Sequence, residues 1–245
     1  MPSDTAPGRL IAIDLARAAA LIAMIVFHFG RDLDLYGVWP PGSTFTPGWM
    51  WSARLIAGTF IFLAGVSLWL AHGHGLRWPS YLRRLAMLIA AAVAVSVATY
   101  VAVPGAWVRF GILHSIALSS VIGLAFLRLP AWIAAAAGTA LIAAVAVGPV
   151  PALSGSAWLW LGLGANTPPM IDWEPVIPWT GPFLLGLALA KLADSRGWFT
   201  AMEGRPAAPL WTQLSWPGRH SLAIYLIHQP ILVGGILAWQ RVIPG

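Results

Sequence analysis

Arg17 and His28 stand eleven residues apart in Leu10–Phe29, a stretch whose one other ionisable side chain is Asp14. Eleven helical residues make about three turns at 3.6 per turn, so both side chains share one stripe, roughly 16 Å apart. An imidazole accepts and returns protons near neutral pH, and a guanidinium holds anions. Ionisable groups inside a membrane helix are costly to bury, so they read first as parts of a functional site. Asp14 and Arg17 are spaced i,i+3 and are expected to pair, which lowers the cost of burying each. Two readings stay open: an ion pair that fixes helix packing, or an Arg17 that attracts a phosphate.

Four further constellations could support chemistry. His28 and Asp32 are spaced i,i+4, so a carboxylate could hold one ring nitrogen and leave the other as a general base. The alternative is a histidine that caps the helix end or wets the interface. His114, in Phe110-Gly111-Ile112-Leu113-His114, is either a second acid/base group or a bond to a neighbouring helix. Arg219-His220-Ser221 opens the last apolar stretch, and Ser221 and its neighbours could cap that helix. His228-Gln229-Pro230 interrupts it; Pro230 frees a carbonyl in the preceding turn, and His228 and Gln229 either satisfy that local polarity or meet substrate. Gly65 with Ser67, and Gly186 with Ala190, are small faces suited to close helix packing.

The elements that must position these groups follow from composition. Of 245 residues, 59% are hydrophobic, 9% are charged and 15 are tryptophan. A soluble domain carries about a quarter charged residues, so lipid must cover much of this chain. The expected fold is all-α: one polytopic membrane bundle over 1–245 with seven spans, at 10–29, 53–71, 82–103, 110–127, 131–148, 177–193 and 220–240. Breakers separate them at Pro40-Pro41, Pro79, Pro104-Gly105, Pro130, Gly148-Pro149 and Pro217-Gly218.

Basic residues give the expected orientation. With the N-terminus inside, the cytoplasmic segments hold Arg9, Arg77, Arg83, Arg84, Arg128, Lys191, Arg196, Arg205 and Arg219, against Arg31, Arg54, Arg109 and Arg241 outside. That bias favours N-in and C-out. His28, Asp32, Arg109, His114, Asp172, Glu174 and Trp179 then gather towards the outer face. Arg83, Arg84, Lys191, Arg219 and His220 gather towards the inner one, with Asp14, Arg17 and His228 between. An acid/base layer opposite a cationic layer suits a molecule with an anionic head and a reactive tail. The outer connection Gly148–Val176 contains an apolar piece, Ala157–Ala165, too short to span, which is expected to be re-entrant or interfacial and to wall a site. The inner connection Asp194–Gly218 carries Trp198, Trp211 and Trp216, as a segment resting on headgroups would. Met1–Gly8 lacks a cleavage pattern, so Leu10–Phe29 is expected to stay as a span.

Cysteine is absent, which excludes disulfides, iron–sulfur clusters and thiol nucleophiles. No metal set is expected. The net charge of +6 is read as membrane orientation rather than nucleic-acid binding.

The segment Arg9-Leu10-Ile11-Ala12-Ile13-Asp14-Leu15-Ala16-Arg17, continuing to Met24, His28 and Asp32-Leu33, resembles the opening of the heparan-α-glucosaminide N-acetyltransferase catalytic-domain family. Four later segments fit it in order: Phe62 to Ser67, Phe110 to His114, Ile177-Pro178-Trp179 through Gly186, and Gly218 to Leu222 through His228-Gln229-Pro230. The arginine–histidine spacing also resembles the wider transmembrane acyltransferase superfamily. The resemblance implies acyl transfer across a bilayer, from cytoplasmic acetyl-CoA or another acyl-CoA to a sugar of an envelope glycan or glycolipid. It implies a bacterial inner-membrane location and a histidine, matched by His28, as base or transient acyl carrier. Asp32 and His114 would complete the catalytic set, with His114 or Arg109 as donor to the oxyanion. Arg17, Arg83, Arg84, Arg219 and His220 would hold the donor, and Arg109, Asp172, Trp179 and His228 the acceptor. A homodimer is as compatible as a monomer. Ala18 stands where the family often has glycine, and Tyr36–Met50 holds no histidine, where the animal lysosomal enzymes use one.

Two other classes compete. A proton-coupled transporter could relay protons along Asp14, Arg17 and His28, although no inverted repeat is present; counterflow in liposomes without CoA would favour it. A b-type haem protein could pair histidines among His28, His114, His220 and His228; a Soret band would mark it.

Overall fold

A computed structural model describes residues 10–202 and 208–242. Arg9 and Arg205, which entered the charge count, and Met1–Gly8 lie outside these. Among the described residues the chain is helical, with one isolated bridge between Phe110 and Trp173 in place of any strand. The helices are α1 Ile11–Leu35, α2 Pro47–His72, α3 Trp78–Ala102, α4 Ile112–Phe126, α5 Ala131–Ala143, α6 Val176–Ser195, α7 Trp198–Met202, α8 Pro209–Leu214, α9 Trp216–Arg219 and α10 Ser221–Val242. Five of them, α1, α2, α3, α6 and α10, are long and apolar enough to cross a membrane, while α4 and α5 are shorter apolar helices. The all-helical membrane protein expected from composition is what the chain builds. Large apolar side chains cover helix surfaces, with Val26 61%, Val97 59% and Trp132 70% exposed. Such a surface is satisfied by lipid rather than water.

The described residues pack as two compact units, divided at Phe60/Ile61 and Trp198/Phe199, with the segments before 61 and after 198 forming the first and 61–198 the second. In the first, α1 packs against α8, α9 and α10. Gly218 is required there, since a Cβ at that position would stand 1.8 Å from the Asp14 carbonyl oxygen. Helix α1 runs six residues past the expected end at Phe29. Its polar last turns are satisfied by the following loop: Asp34 accepts the N–H groups of Gly42 (2.9 Å) and Thr44 (2.8 Å), and Arg31 Nη1 donates to Thr44 Oγ1 at 2.7 Å.

In the second unit α6 is the hub, packed against α4 and α5. The small faces act as expected. A Cβ on Gly65 would lie 2.0 Å from the Phe183 carbonyl oxygen, and one on Gly186 would lie 2.1 Å from that of Phe62. Backbones this close have no room for a methyl group. Gly186→Ala is therefore expected to cost about 3 kcal/mol or more, read as a large drop in the thermal midpoint of detergent-solubilised protein. A midpoint within a degree or two of wild type would contradict this packing. Ser119 Oγ and Thr180 Oγ1, 2.8 Å apart and fully buried, add a hydrogen bond between α4 and α6.

In the connection ahead of α6, Ala157–Ala165 is coil beyond the single turn Ser156–Trp158. Its carbonyls at Trp160 and Leu161 accept the N–H groups of Val176 and Ile177 (2.8 and 3.0 Å), and Trp173 Nε1 donates to the Leu159 carbonyl at 3.1 Å. The short apolar piece thus spends its backbone groups on the start of α6. In the other long connection, Trp198, Trp211 and Trp216 are each about half exposed on α7, α8 and α9.

Candidate functional site

The first unit assembles its polar groups between α1 and α10. Asp14 and Arg17 pair as expected, Nη1 to Oδ1 at 3.1 Å, with Asp14 buried. One turn beyond His28, Asp32 is 3% exposed, and its carboxylate belongs to another partner. Gln229 Nε2 donates to both oxygens, at 2.8 and 3.0 Å. The expected His28–Asp32 hydrogen bond is not formed. The helix does continue through Asp32, but the amide from α10 reaches the carboxylate first and ties the two helices together.

His28 faces a second imidazole instead. Its half-buried ring has its centroid 5.0 Å from that of His228, tilted by 58°. His228 is 7% exposed, and its Nδ1 sits 2.6 Å from the Tyr225 carbonyl oxygen. A carbonyl only accepts, so Nδ1 carries the proton and Nε2 of the neutral ring holds a lone pair. That Nε2 is buried with no hydrogen-bond partner among the described residues, as is Gln229 Oε1. The two rings touch, so no porphyrin plane fits between them, and this removes the His28–His228 combination from the haem reading. His220 is exposed at the C-cap of α9 with Nδ1 2.9 Å from the Trp216 carbonyl oxygen, and exposed Arg219 donates to Thr212 O at 3.3 Å. Both make local contacts at the start of α10.

The second unit organises a different cluster, around the start of α4. His114 Nδ1 accepts the Gly111 N–H at 3.3 Å, which leaves the neutral-ring proton on Nε2, 3.4 Å from Ser96 Oγ. Ser96 Oγ gives its own proton to the Val108 carbonyl at 2.7 Å. The hydroxyl can therefore accept from His114, and both ring nitrogens are engaged. In this geometry His114 anchors the helix start and offers no free lone pair. Asp172 caps the same helix end, its Oδ2 accepting the Ile112 N–H at 3.0 Å. A Cβ at position 111 would lie 2.1 Å from that oxygen, so a larger residue there would have to push the Asp172 carboxylate aside. Arg109 lies over the Trp107 ring at 5.3 Å, and Trp179 is half-buried in the first turn of α6.

Burial pushes the Asp172 carboxyl up to about 6, against the opposing pull of the Ile112 N–H. A group whose value is raised in the fold stabilises it at low pH, and that contribution is lost as pH rises through the folded value. Asp172→Asn, which cannot charge, is expected to be more stable than wild type at pH 8 by an amount on the order of 3 kcal/mol. The gap should close between pH 6 and 4. Thermal midpoints across that range measure it, and parallel curves for the two proteins would contradict it.

At the other end of this unit, Arg84, His72, Tyr81 and Ser120 line a narrow cleft with Ala64 and Leu68. Tyr81 is 4% exposed, and its hydroxyl is buried without a partner. Arg83, next to Arg84 in sequence, is exposed. Lys191, expected in the inner cationic layer, is committed: its Nζ donates to the carbonyls of Phe126 (2.8 Å), Leu127 (3.0 Å) and Leu129, closing the C-terminal end of α4. A cation on those carbonyls is favoured by their partial negative charge. Lys191 also lies over the Trp69 ring at 4.9 Å, and Trp69 Nε1 donates to Asp194 at 2.9 Å.

Sequence reasoning named His228 and Gln229 but not their partners, and it passed over Ser96, His72 and Tyr81. No periodic signal marks those three, since each lies on an apolar helix where a single polar residue is unremarkable. The site residues thus fall into two sets, with Arg17, His28, Asp32, Arg219, His220 and His228 in the first unit and Arg83, Arg84, Arg109, His114, Asp172 and Trp179 in the second.

The comparisons with known proteins bear on all of these residues. No curated protein and no solved structure matches the chain. One family model does, over residues 9–230, and its description is heparan-alpha-glucosaminide N-acetyltransferase, catalytic. That match takes in every site residue above and nearly all of the helical membrane fold that carries them, and so the chain belongs to the heparan-alpha-glucosaminide N-acetyltransferase catalytic family of membrane acetyltransferases.

Proposed function

We propose that the protein is an acyl-CoA-dependent transmembrane acyltransferase. It moves an acetyl or related acyl group from a donor on the cytoplasmic side to a hydroxyl or amine of a sugar in an envelope glycan or glycolipid. The observation that supports this best is His28. It is an imidazole on a membrane-crossing helix, with no hydrogen bond to its ring among the described residues, and it is set beside a second imidazole.

Acyl transfer from a thioester needs a group that accepts a proton or the acyl group itself, and donors for the oxyanion that develops. His28 supplies the first. Asp32, bound by Gln229, holds α1 against α10 and so positions His28 rather than taking its proton. The pantetheine arm would run along α1 past Arg17. The donor's phosphates suit arginine forks, and each unit offers its own candidates: Arg219 and His220 in the first, Arg83 and Arg84 in the second. On the acceptor side Trp179 offers a ring face to a sugar and Arg109 a donor, while Asp172, with its raised carboxyl value, can exchange a proton near pH 6. His114 fixes the start of α4. The expected setting is a bacterial inner membrane, N-terminus inside, with the bilayer, acyl-CoA and the acceptor as partners, no nucleic acid, and a homodimer allowed.

The test is transfer itself. Protein purified in detergent or liposomes is incubated with radiolabelled acetyl-CoA and envelope sugars, and labelled sugar is the expected product. No labelled sugar, together with solute counterflow in CoA-free liposomes, would replace this reading with a transporter.

A further inference from the structure

We infer that His228 is the base that serves His28, the histidine which the family resemblance already reads as base or acyl carrier, and that the two act as one dyad. The inference rests on the acyl-transfer reading for its substrate, but its geometry stands alone. His228 is more than nine-tenths buried, its Nδ1–H is held by the Tyr225 carbonyl, and its Nε2 lone pair has no partner. A base needs that arrangement: one nitrogen fixed, the other free and desolvated. The neighbouring ring is His28, at 5.0 Å between centroids and not hydrogen-bonded to Nε2, so a turn of the His28 ring is what would bring its N–H onto that lone pair. The other groups near the pair are fixed elsewhere. Asp32 is bound by Gln229, and Arg31 donates to Thr44 and lies over Phe45.

The step balances. A His28 ring nitrogen attacks the thioester carbonyl carbon, forming an N–C bond, while the proton of the other His28 nitrogen passes to His228 Nε2. The C–S bond breaks, and His228 returns that proton to the departing thiolate, giving a free thiol and a neutral acyl-imidazole. An acceptor hydroxyl then attacks the acyl carbon and gives its proton to His228. His228 passes it back to His28 as the N–C bond breaks.

Diethyl pyrocarbonate, which acylates neutral imidazole without CoA, tests the dyad by peptide mass mapping at pH 7. In the wild-type protein half-buried His28 should be modified faster than His74, whose side chain is 81% exposed. Slower modification than His74 would overturn the dyad. His228→Asn keeps an N–H for the Tyr225 carbonyl but has no base; it should slow His28 modification about a hundredfold, and His228→Gln should do the same. In the transfer assay His228→Asn should lower kcat by a similar factor and leave the KM for acetyl-CoA unchanged. Wild-type modification of His28 and wild-type kcat in folded His228→Asn would overturn the dyad while leaving acyl transfer standing. Fast, His228-dependent modification in a protein that transfers no acetyl group would support the dyad and sink the acyl-transfer reading.

Discussion

His28→Ala should lower acetyl transfer by at least about a thousandfold while leaving the protein folded. Removing a positioned general base costs about 10²–10⁴-fold, and removing a nucleophile costs more, because the covalent route closes. The fold should tolerate the change. His28 is half-buried and makes no hydrogen bond among the described residues, so its loss strands no buried donor or acceptor there. The Asp32–Gln229 contact that joins α1 to α10 is untouched. The measurement pairs single-turnover transfer from labelled acetyl-CoA with the thermal midpoint of the same preparation. Full transfer by the alanine variant would remove this histidine from the chemistry.

The largest stability effect on the first unit is expected from Gln229→Leu. Asp32 is almost wholly buried, and the Gln229 amide is its hydrogen-bond donor. Leucine keeps the volume but leaves a buried carboxylate unpaired, a situation that costs about 3–5 kcal/mol. Asp32→Asn changes the same contact without stranding a charge. It should cost nearer 1 kcal/mol, the net worth of a typical hydrogen bond. Thermal midpoints of the two variants separate these cases. Equal losses would mean that packing, not the carboxylate, holds α1 to α10. Transfer should fall in Gln229→Leu as well, since His28 rides on the helix that this contact fixes.

Much of the architecture was legible because hydropathy reports what a bilayer demands. Each expected span corresponds to an apolar helix. The helix ends were misplaced where polar residues continue the helix outside the apolar window: α1 runs on through Arg31, Asp32 and Asp34, and α2 begins at Pro47 rather than 53. Hydropathy sees the buried length of a helix, not its hydrogen-bonded length. The small faces at Gly65 and Gly186 were readable because only close backbones need them.

The site was legible in part. Spacing within one helix shows which side chains share a stripe, and that placed Asp14 with Arg17 correctly. It says nothing about competitors from distant segments. Asp32 could be seen to neighbour His28, but not that Gln229, 197 residues on, would take its carboxylate. Lys191 could be placed in the inner cationic layer, but not matched to the carbonyls it closes, which lie 62–65 residues earlier. His114 was a candidate base until the Gly111 N–H and Ser96 occupied its nitrogens. A glycine followed three residues later by histidine is not a capping pattern that sequence rules anticipate.

The central claim is that an imidazole on the first membrane helix meets the thioester. A structure determined with a non-hydrolysable acetyl-CoA analogue tests it most directly. The account predicts the analogue's acyl carbon about 3–4 Å from a His28 ring nitrogen, the distance of a near-attack geometry. An acyl carbon more than about 10 Å away, with the His28 ring facing lipid, would contradict it.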